Sequence, residues 1–168
     1  MTVTPAETAV DWEHELAALL ENLSTAQQEL LSVLNEKRGY MARSDSEGMA
    51  RLHPREIELQ DKLEQCYRQR LELLKRAASV GRPSGSVRQL AASLAEPARD
   101  KLGKQVKEAA SRSRILQHQS LTNWVLAQRS LLHLSQMLEI IATGGRLQPT
   151  YGIDESVSPR GALVDHTV

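Results

Sequence analysis

The chain has 168 residues, with 21 basic and 21 acidic side chains, and so no formal net charge. A neutral chain has no global pull toward nucleic acid or an anionic membrane. It has no Phe, two Trp and three Tyr, and Leu and Ala carry its apolar content, which suits helix packing on helix rather than a sheet. A lone cysteine, Cys66, excludes an intrachain disulfide framework and fits a reducing cytoplasm, the expected location. No apolar run reaches the length of a membrane span, and no secretory signal is expected at the start.

Residues 1–9 read as a flexible lead. Asp11 opens a first helix over about 11–42, with acidic residues at the positive end of its dipole. Leu16, Leu19, Leu23, Leu30 and Leu34 make one buried stripe, with Ala26 and Val33 filling the seam. Ser44-Asp45-Ser46-Glu47 fits a capping box, with Ser44 as cap and Glu47 reaching back. The second helix, about 44–79, contains Pro54, where a kink or fresh start is expected. Beyond it Leu59, Leu63, Cys66, Leu73 and Ala77 form the stripe, with Arg70 in line but reaching outward.

The run from Gly81 to Ser86 is a break. Ser86 can cap a short helix over about 86–95 carrying Val87, Leu90 and Leu94. Pro97 then suits the first position of a long helix, about 97–143, roughly 70 Å at about 1.5 Å per residue. Leu102, Val106, Ala109, Leu116, Ala127, Leu131, Leu134, Leu138 and Ile141 share one side and are expected to be the core seam. Ser113, Ser120 and Asn123 fall on that side and can fix register. A second apolar strip, Leu121, Val125, Leu126, Leu132 and Ile140, is the candidate client-binding surface.

Charge is distributed unevenly. Residues 1–36 carry seven acidic and no basic side chains, whereas 97–129 carry seven basic against Asp100 and Glu108. With helices running up, down and up, the first and third lie parallel and these charges could face each other. A nucleic-acid face over residues 99–114 is the alternative use. No aromatic residues are interleaved there for base stacking, so nucleic acid is not the expected partner. Phosphate loops, metal-binding pairs and nucleophile elbows are absent from the sequence, so no enzyme activity, cofactor or metal is expected. Trp12 and Trp124 read as packing anchors, and Cys66 as a small buried hydrophobe.

The expected fold is therefore all-α: an elongated up-down-up helical bundle, or antiparallel coiled coil, of three long helices over residues 1–145. Gly144-Gly145 ends the last helix, and 146–168 is expected to be a disordered C-terminal tail. Three segments carry a resemblance: Asn123-Trp124-Val125-Leu126, Met137-Leu138-Glu139-Ile140-Ile141, and Thr150-Tyr151-Gly152-Ile153-Asp154 with Gly161 further on. With them the chain resembles the FlgN family, cytoplasmic export chaperones for the hook–filament junction proteins of the bacterial flagellum. Where that family often has two Asn one helical turn apart, Gln119 and Ser120 occupy the turn before Asn123. The resemblance implies hook-associated proteins and the type III export gate as partners, with Tyr151 and Gly152 as a tail-docking contact. It implies no membrane insertion and says nothing of oligomeric state. A generic coiled-coil adaptor is the other reading within the same class.

Overall fold

The computed structural model describes residues 11–144. Four helices follow in order: α1 (Trp12–Ala42), α2 (Ser46–Ser79), α3 (Val87–Ala92) and α4 (Ala98–Thr143). There is no strand among the described residues, so the fold is all-α. The chain divides into two units, Met1–Asn123 and Trp124–Val168. The expected tail, with Tyr151 and Gly152, lies outside the described residues.

In the first unit the helix directions follow from the polar bridges. Glu15 meets Arg76, Glu29 meets Lys62, Glu36 meets Arg55 and Lys37 meets Glu56. As the number rises on α1 it falls on α2, so the two are antiparallel. Gln27 reaches Ala109 and Ser113, and Leu34 and Arg38 reach Asn123. Here both numbers rise together, so α1 and the first part of α4 are parallel. Glu15, Glu29 and Glu36 of α1 thus pair with α2, and among the described residues no ion pair joins α1 to the basic start of α4. Arg112 instead bonds Ser24 and Glu108. The α1 and α4 charges that the sequence suggested could face each other do so where Glu21 lines a cleft with Lys101 and Arg112, without a close ion pair.

The apolar stripes meet in two clusters. One joins Trp12, Leu16, Leu19 and Leu20 of α1 to Cys66, Leu73 and Ala77 of α2, Leu90 and Ala91 of α3, and Leu102 of α4. The other joins Val33 to Leu52 and Leu59. Trp12 is the packing anchor it was expected to be, buried beneath the guanidinium groups of Arg76 and Arg82 at 6.0 and 5.7 Å from its ring. Cys66 is buried, and that burial pushes its thiol pKa up.

The helix ends follow local chemistry. Asp11 caps α1 by accepting the His14 N–H at 3.1 Å, and Ser86 caps α3 by accepting that of Gln89 at 3.2 Å. At α2 the cap is Asp45, which accepts from Gly48 N at 2.7 Å, and not Ser44. Ser44 has φ 55° and belongs to the turn before it. The turn is tight: a Cβ on Gly48 would come within 2.3 Å of the Tyr40 ring. α2 runs through Pro54 without a fresh start. Pro54 and Ala50, whose carbonyl loses its usual partner, are both exposed, so water can take that carbonyl. Pro97 stands just outside α4, its carbonyl accepting from Lys101 N at 3.3 Å.

A candidate docking surface on the last helix

Two buried amides set the register of α4 on α1. The Gln27 side chain is 2 % exposed and donates to the Ala109 carbonyl at 3.1 Å and to Ser113 Oγ at 2.9 Å. Asn123 is 5 % exposed, and its Nδ2 donates to the Leu34 carbonyl at 2.8 Å. A carbonyl has two lone pairs, so this bond can add to the helical one. Asn123 Oδ1 accepts from Arg38 Nε at 3.4 Å. Each amide would be left unpaired by a slip along the helix, which makes slipping costly.

The second unit begins at the next residue, and its described part is the end of α4. Here almost nothing is buried. Trp124, Leu131, Leu132, Leu134, Met137, Leu138, Ile140 and Ile141 are each between 46 and 66 % exposed. Trp124, Leu131, Leu134, Leu138 and Ile141 follow at spacings of seven, three, four and three, which stacks them on one side of the helix. Val125, Leu132 and Ile140 stack on the other side, with Arg129 and Gln136 among them. The hydroxyls of Ser130 and Thr143 turn back to the carbonyls of Leu126 and Glu139, at 3.0 and 2.7 Å. The helix stops at Gly144, which has φ 64°.

This corrects the sequence reading of the seam. Leu131, Leu134, Leu138 and Ile141 are not core, and Trp124, 59 % exposed, is not a packing anchor. A seam needs a facing stripe, and that of α1 has its last buried positions at Val33 and Leu34, with Leu34 already bonded to Asn123. α1 has 31 residues and α2 34, against 46 in α4. Of the five candidate client-binding residues, Leu121 lies in the first unit and is exposed. The other four lie in the second, where Leu132 and Ile140 are exposed and Val125 and Leu126 are half-buried. The broader exposed face was missed. The signal for it was the mismatch in helix lengths.

Among the described residues no group of His, Cys, Asp and Glu could hold a metal, and no helix is long and apolar enough to cross a membrane. Fold and surface define a class: an all-α protein whose longest helix presents large apolar side chains for docking. A family model described as FlgN protein matches residues 12–158. The chain belongs to the FlgN family, a family of flagellar export chaperones. No curated protein and no solved structure matches it.

Proposed function

We propose that this chaperone holds the helical, coiled-coil-forming ends of hook–filament junction proteins on the last twenty residues of α4. It keeps those ends from pairing with one another in the cytoplasm and delivers them to the type III export gate. The observation that supports this reading is the exposure of eight large apolar side chains between Trp124 and Ile141. A single helix apolar on two sides gains little from standing in water, and most helical stability in proteins comes from packing. An amphipathic client helix laid along either side would bury that apolar face, and a second laid along the other would bury the rest, helix against helix. The candidate contacts are Val125, Leu126, Leu132 and Ile140 on one side, with Leu121 as a neighbouring contact, and Leu131, Leu134 and Leu138 on the other. Tyr151 and Gly152 are the proposed tail contact with client or gate.

The test is binding of a purified hook-associated protein to the full chain and to a chain ending at Gly145. Truncation should leave the melting temperature nearly unchanged and weaken capture of client or gate, and Tyr151→Ala should reproduce much of that loss. If the shortened chain binds both partners as well as the full one, the tail has no such role. If the full chain captures no junction protein, the client assignment fails.

A further inference from the structure

The first unit has a second apolar feature. Between α2 and α4 lies a cleft of about 410 Å³, within the size range of binding pockets. Leu20 and Leu23 of α1 form its floor, Leu63 and Tyr67 of α2 one wall, and Val106 and Ala110 of α4 the other. Val87, at the start of α3, closes one end. α3 sends Leu90 and Ala91 into the same core that α1, α2 and α4 build. The cleft therefore begins where this short helix does, and Ala109, Ala110 and Ser113 leave α4 without bulk along it.

The charged residues that line it are both basic. Arg70 and Arg88 line it, no acidic residue does, and neither arginine has an ion-pair partner among the described residues. On the α4 rim the exposed Lys107 and Arg114 stand beside the lining positions Val106 and Ser113, while on the α2 rim Glu64, beside Leu63, is already paired with Arg68. An apolar trough edged by free cations fits an apolar helix edged by anions, since desolvated like charges would oppose any other pairing. We propose that this cleft is a docking site for an amphipathic helix of a protein partner, apolar on one stripe and acidic on its flanks. It shares no residue with the α4 surface described above and does not depend on it.

The probe is a fluorescent peptide of about six helical turns, with Leu at heptad spacing and Glu on the flanks. It is titrated into the full-length protein carrying Leu132→Asp and Leu138→Asp, one on each apolar side, so that the end of α4 cannot take it. Saturable binding is expected, weakened about tenfold or more by Arg70→Glu with Arg88→Glu, by Ala110→Trp, and by exchanging the peptide's Glu for Lys. Cys66 lines the cleft and is the sole cysteine, so bound peptide should also slow its modification by a thiol reagent. Both arginines are exposed, so their variant stays informative if Ala110→Trp fails to fold. Equal affinity for the Lys peptide or indifference to the arginine changes would overturn the proposal. So would displacement of the peptide by a single-stranded oligonucleotide that binds more tightly, which would assign the cations to nucleic acid.

Discussion

Asn123 and Gln27 show how single residues fix the first unit. Asn123→Ala removes a buried donor and strips the Arg38 guanidinium of an acceptor, at a cost of about 1–3 kcal/mol. Asn123→Leu should cost less, because its bulk fills the space that Ala leaves empty, but it would loosen the register. Urea denaturation of both variants checks the order, and a larger loss for Leu than for Ala would refute it. Cys66 gives a pH signature. Burial raises its pKa in the folded state, so the unfolded thiol ionises first as pH rises. Stability should be flat below the ordinary thiol value and fall as pH climbs through the raised folded value. Cys66→Ala should remove that fall in a series of urea midpoints taken between neutral and alkaline pH.

At the scale of elements, the stripes of α1 and α2 were legible because each is periodic and each meets the other over its whole length. Leu16, Val33, Leu59 and Leu73 are where the spacing put them. The caps of α1 and α3 were legible for the same reason: one side chain decides each. At α2 two adjacent candidates, Ser44 and Asp45, compete for one role, and the left-handed backbone at Ser44 gives it to Asp45. The end of α4 was misread because periodicity names a face without naming its partner. Leu131 and Leu134 continue the pattern of Leu102 and Ala109 but are exposed among the described residues. The correction reverses a mutational expectation. Leu59→Ala, at a site with no exposure, should cost about 2–5 kcal/mol. Leu134→Ala should cost under about 1 kcal/mol, as exposed substitutions do. Equal losses in thermal or urea unfolding would return Leu134 to the core.

For the molecule as a whole, the residues that hold the fold and those proposed to hold a client are separate. Every side chain in the two core clusters lies between Trp12 and Val106, whereas the exposed apolar run starts at Leu121. Folding and binding should therefore be separable by mutation. Leu132→Asp with Leu138→Asp puts a carboxylate on each of two faces already in water, so the helical circular dichroism signal and the melting temperature should hardly move. The same carboxylates would be buried unpaired against a client helix, at a cost of several kcal/mol. Capture of junction protein should drop by about a hundredfold or more, the equivalent of roughly 3 kcal/mol. Wild-type binding should also carry a negative heat-capacity change by calorimetry, because the surface that closes is apolar. If the double variant unfolds, the run is structural; if it folds and still binds client at full strength, the client lies elsewhere on the chain.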